Sequence, residues 1–154
     1  MNKVIVGVVL AGAISACRTS TTSTTTVSSP AASGNQTGAA DPMSALRGFI
    51  SAANNTDLQA MGALFGDEEG TARDRLPRET LEMREILMAK CLKNDSYDVI
   101  GDAPAPGGGR SYVVKLNKAN KAGTAGFEVV RGPDKRWYLH SFEIQKLMVD
   151  YCKN

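Results

Sequence analysis

Few side chains in this sequence are of a type and at a spacing that chemistry can use. Three cysteines, Cys17, Cys91 and Cys152, and a single histidine, His140, are the main candidates. Zinc sites need cysteine and histidine ligands a few residues apart, and Cys91, His140 and Cys152 are too scattered to match. The acidic triplet Asp67-Glu68-Glu69 invites calcium, but an EF-hand alternates oxygen ligands over twelve residues and ends in a bidentate Glu, and residues 70–76 do not continue that pattern. Gly107-Gly108-Gly109 lacks the Lys-Ser/Thr and the following helix of a phosphate loop, so it reads as hairpin slack. Met83 and Met88 read as core filler on a helix. No metal and no cofactor are expected.

Charge excludes another class of partner. Lys3 and Arg18 are the only charged residues before Asp41, so from there to the end 16 basic and 16 acidic residues balance. Evenly mixed signs are not the basic stripe that nucleic acid requires.

The elements that must position these residues begin late. Residues 18–40 hold 12 Ser or Thr among 23 and no aromatic side chain, too little apolar area to offset the entropy of ordering. This stretch reads as a disordered tether. Before it, MNKVIVGVVLAGAISAC joins a basic start at Lys3, an apolar run from Val4 to Ala13 and a small-residue box that ends on Cys17. That pattern resembles a bacterial lipoprotein signal peptide, with a run shorter than the roughly 20 residues a membrane span needs. The resemblance implies a signal peptide over 1–16, acylation of Cys17 as the first mature residue, and a lipid-anchored linker over 17–40. With two or three acyl chains, anchoring in the membrane is effectively permanent. Arg18, where Asp favours inner-membrane retention, implies the outer membrane in an organism with two.

Residues 41–154 form the folding unit. Asp41-Pro42 starts a helix whose apolar face carries Met43, Leu46, Phe49, Ile50 and Ala53. Asn54-Asn55 interrupts it, and Thr56 with Gln59 matches a capping box for a second helix that stops at Gly66. Residues 66–76 read as a loop. Pro77 opens a third helix with Leu81, Ile86, Leu87, Met88, Cys91 and Leu92 on its apolar side, while Glu82 with Arg78 and Glu85 with Lys90 read as surface charge. From Ser96 the period becomes two. Strands are expected around Tyr97 to Ile100, over 111–116, over 124–131 and over 136–144, with a flexible connection at 102–109 and a turn at 118–123. In the last strand Trp137 and Leu139 alternate, then Phe142 and Ile144 take up the other phase, which places a bulge near His140 or Ser141. A short helix over 145–151 closes an α+β fold: N-terminal helices packed on a curved antiparallel sheet of about four strands.

LRGFISAANNTDLQAMGALF at 46–65 and GPDKRWYLHSFEI at 132–144 carry a resemblance to the nuclear-transport-factor-2-like, or cystatin-like cone, superfamily. The resemblance implies a cone that binds a small apolar ligand or an envelope protein without catalysis, with Phe49, Met88, Tyr112, Phe127, Trp137 and Phe142 around its pocket. It also leaves open a ketosteroid-isomerase-like or dehydratase-like enzyme, which needs a carboxylate or histidine in the cone and a donor to hold the oxyanion. Alternation points His140 away from Trp137 and Leu139 unless the bulge turns it; Asp98, with Tyr112 as donor, is the other candidate base. A spacer with a filled core is the third option. Since the lipoprotein resemblance places the domain outside the cytoplasm, Cys91 and Cys152 are expected to form a disulfide that closes about 60 residues.

Overall fold

Residues 36–152 are described by a computed structural model; the expected signal peptide, Cys17 and most of the expected tether lie outside the described residues. Helix α1 (Pro42–Asn55) starts where Asp41 accepts hydrogen bonds from the Ser44 backbone N–H at 2.9 Å and its hydroxyl at 2.6 Å. These bonds hold the Asp41 carboxyl below its ordinary pKa. The apolar spacing does what its period demands: Leu46, Phe49, Ile50 and Ala53 are fully buried. Thr56 ends the helix in the left-handed conformation (φ 55°), so it cannot cap the next one; Asp57 does so instead, accepting from the Ala60 N–H, and α2 spans Leu58–Leu64.

Residues 66–76 are more ordered than a loop. Strands β1 (Gly66–Asp67) and β2 (Gly70–Thr71) make a two-stranded sheet, followed by a 3-10 turn at Ala72–Asp74. Helix α3 (Arg78–Leu92) then buries Leu81, Glu85, Met88, Ala89, Cys91 and Leu92, while Ile86 and Leu87 are exposed. The helix is therefore rotated from the expected orientation. Apolar side chains surround most of it, so period alone does not select a side.

Four antiparallel strands follow in the order β3 (Ser96–Pro104), β4 (Arg110–Lys118), β5 (Lys121–Arg131) and β6 (Trp137–Phe142). β3 continues to Pro104, through part of the expected connection, because Asp102 to Pro104 pair with Tyr112 to Arg110. β5 begins at Lys121, since a tight turn lets Lys121 pair with Lys118. Opposite β5, Glu128 pairs with Ser141 and Val129 with Leu139, which leaves His140 as the extra residue of a bulge, one of the two positions the phase slip indicates. A second bulge at Ile100 has no such sequence signal.

The core lies between α1 and the inner sheet face, where Tyr112, Val114, Leu116, Ala125, Phe127, Val129 and Leu139 are buried. The ordered chain starts ahead of Asp41. Ala39 bridges to Trp137, the Gly38 N–H donates to Ala63 O at 2.7 Å, and Arg136 donates to Thr37 O and Gly38 O. The last residues of the expected tether are thus part of the fold, held by hydrogen bonds to their backbone and by Ala39 against the core.

Helix α4 (Ile144–Asp150) folds back on β5 with Leu147 fully buried, and the Tyr151 hydroxyl donates to Lys93 O at 2.8 Å. Gly123 makes this possible: a Cβ there would lie 2.8 Å from Leu147 Cδ2 and 2.9 Å from Tyr151 Cβ. Gly123→Ala is expected to pry α4 from the sheet at a cost of about 1–3 kcal/mol, read as a lower urea midpoint.

Candidate functional site

The six side chains expected around a cone pocket are packing elements. Phe49, Met88, Tyr112 and Phe127 belong to the buried core, and Trp137 and Phe142 pack against it. Phe127 and Phe142 stack with ring centroids 5.2 Å apart, and Arg131 lies over the Trp137 ring. None of the six lines either of the two clefts described below, because α1 packs over the inner face of the sheet.

Asp98 and Tyr112 do not come together. Asp98 is exposed and opposite Lys115 on the outer face, whereas Tyr112 points into the core. A base and its donor on opposite faces of one sheet cannot share a substrate. Cys91 and Cys152 do meet: their sulfurs lie at bonding distance and their Cα atoms are 4.8 Å apart, tying the end of α3 to the end of α4. Among the described residues no group of three or more His, Cys, Asp or Glu is arranged to hold a metal ion.

The unexpected group is Glu85. It is 1 % exposed, and its Oε1 has no hydrogen-bond partner. Buried polar atoms are nearly always paired, so this one calls for an explanation. Leu81, Met88 and Leu92 fall on the buried stripe of α3, and position 85 lies on that same stripe. On the facing helix Gly62 provides the room, since a Cβ there would stand 2.8 Å from Glu85 Oε1. A carboxylate among the apolar residues of one helix, and a glycine within the helix before it, were the sequence signals for this pairing.

Glu85 lines an open cleft of about 160 Å³. α2 contributes Leu58, Gln59 and Gly62; α3 contributes Arg78, Leu81 and Glu82; Arg73 comes from the 3-10 turn. Burial pushes the Glu85 carboxyl up to about 7, Glu82 adds to the rise, and Arg73 opposes it. Arg78 is engaged, its Nε donating to Glu82 Oε1 at 2.6 Å.

A second cleft, about 240 Å³, lies between β1, α3 and β6 and includes Phe65, Asp67, Arg75, Arg84 and the exposed His140. Within it Asp67 and Arg75 are paired with each other. Burial raises the Asp67 carboxyl, but Arg75 at 2.5 Å and the Glu69 N–H outweigh it and hold Asp67 below its ordinary value. The bulge thus sets His140 at the rim of a cleft outside the core, where its charge adds to the lowering of Asp67. Compared with family models, curated proteins and solved structures, the chain matches none.

Proposed function

We propose that this is a lipid-anchored protein of the bacterial envelope, carried on Cys17, whose domain is a non-catalytic binding module that takes a basic side chain of a protein partner in the α2–α3 cleft. The observation that carries the binding reading is the unpartnered Oε1 of Glu85 in that cleft. An alkylammonium that parts the side chains over Glu85 donates to that oxygen and lays its methylene stem along Leu58 and Leu81, beside the Glu82–Arg78 ion pair and against the opposing charge of Arg73. The cleft is smaller than the roughly 300 Å³ at which sites for whole small ligands begin, so it suits a side chain rather than a free apolar molecule. A cone of the nuclear-transport-factor-2-like type fits the order of three helices before four strands, and the bulges at Ile100 and His140 fit a bent sheet.

The cleft is tested by following the Glu85 carboxyl and the Leu58 and Leu81 methyls by NMR as n-butylammonium chloride is added, with sodium chloride as control. A bound cation favours the charged carboxylate, so the Glu85 midpoint moves down from about 7 and the methyls shift; unchanged methyls exclude the site. A carboxyl that titrates about 7 also suits a general base, the second reading, in which the midpoint is unmoved by the amine. The anchor is tested separately. Cells fed an alkyne-labelled palmitate are expected to label the wild-type chain in the membrane fraction and to leave the Cys17→Ser variant unlabelled.

A further inference from the structure

Helix α3 turns its buried side, with Glu85, toward α1 and α2, and leaves an apolar stripe outside. Met83 is 66 % exposed, Ile86 53 % and Leu87 47 %, and their three- and four-residue steps place them on one face. By the same spacing Glu79 lies one turn before Met83 and Lys90 one turn after Ile86, both exposed and on that face. The order along the stripe is acid, apolar, apolar, base. A single exposed apolar residue is ordinary; three contiguous ones capped by opposite charges form a self-complementary surface.

We infer that this face of α3 pairs with the same face of a second copy of the chain, the two helices running antiparallel about a two-fold axis. Reversing one helix against the other sets Met83 of each copy against Ile86 and Leu87 of its mate, and brings Glu79 opposite Lys90 twice. Such an isologous contact closes on itself and stops at two subunits. A parallel pair would set Glu79 against Glu79 and Lys90 against Lys90, so the charges select the antiparallel arrangement. Antiparallel helices also place opposite dipole ends together. One helix face from each copy is a small interface, in the class of weak and transient contacts. If both copies are tethered to one membrane through Cys17, their local concentration rises and favours the pair. The pairing does not rest on the binding cleft, because the stripe lies on the side of α3 opposite Glu85.

Sedimentation equilibrium of the chain from residue 17 onward, carrying Cys17→Ser so that it lacks acyl chains, reads the association from about 10 µM to about 1 mM. A reversible monomer–dimer equilibrium is expected, and Leu87→Glu is expected to abolish it with the circular dichroism spectrum unchanged. Lys90→Glu alone, which puts like charges together at both ends, weakens the dimer by roughly tenfold, and Glu79→Lys combined with Lys90→Glu restores it to within about twofold. A monomer throughout the range, a dimer indifferent to Leu87→Glu, or a charge-exchanged chain no tighter than Lys90→Glu overturns the pairing. So does a monomer that binds phosphatidylglycerol vesicles through the Met83–Ile86–Leu87 face, since that makes the stripe a membrane contact.

Discussion

Replacing Cys91 and Cys152 together with alanine is expected to lower the unfolding free energy by about 4 kcal/mol, the chain-entropy value for a loop of this length. The two cysteines are 61 residues apart, and the loop between them contains the whole four-stranded sheet and α4. Without the bridge, the unfolded chain regains the freedom of that loop, and α4 keeps only its own packing. That packing is modest: Leu147 and Tyr151 are its buried side chains, and a single hydrogen bond, Tyr151 to Lys93, reaches back to α3's end. Since a domain of this size has a total stability of roughly 5–15 kcal/mol, the loss is a large share of it. Urea unfolding of the wild-type chain, with and without dithiothreitol, measures the effect against the double variant. Reduction is expected to bring the wild-type midpoint down to that of the variant, and a midpoint that reduction leaves unmoved shows that the bridge contributes nothing.

A second large effect belongs to Glu85. Its folded-state value of about 7 is above the 4.5 of the free side chain, so between those limits the folded state holds a proton that the unfolded state has released. The contribution is fully present below about pH 4.5, declines as pH rises, and is gone above about pH 7. The gap corresponds to roughly 3 kcal/mol lost between those limits. Asp41, Asp67 and Glu143, whose carboxyls are held below their ordinary values, act in the opposite sense and in a lower window, where stability falls as they protonate. Glu85→Gln removes the slope between pH 4.5 and 7. The variant is expected to match wild type near pH 5 and to exceed it by about 2 kcal/mol at pH 8, because the neutral amide never pays for a buried charge. Equilibrium urea unfolding at the two pH values provides the check; equal differences at both would mean that Glu85 does not titrate as its burial requires.

These two sites show how unevenly the molecule is written in its chain. The bulge at His140 was legible because strand side chains alternate strictly, so one residue out of phase must be accommodated somewhere. The start of α1 was legible because Asp41 meets its partners three residues away. The bulge at Ile100 was not, since Val99 and Ile100 are both apolar and the phase slip between them is silent. Residues 37–39 read as tether because they are small or polar, and only the partners Ala63, Arg136 and Trp137, far along the chain, bring them into the fold.

What the chain determined by itself are the features set by neighbours within about four residues or by simple alternation: three helices, then four antiparallel strands, then a short helix, with the breaks between most of them. Which side of α3 faces inward was decided only by the tertiary structure. Its apolar residues lie on more than one side, and both orientations would bury several of them. The choice made here buries Leu81, Met88 and Leu92 against the neighbouring helices and core, brings Cys91 to Cys152, and carries Glu85 in with them where Gly62 leaves room. The same rotation leaves Met83, Ile86 and Leu87 outside. A side chain's burial depends on what packs against its helix, and for α3 those neighbours come from residues far away in sequence.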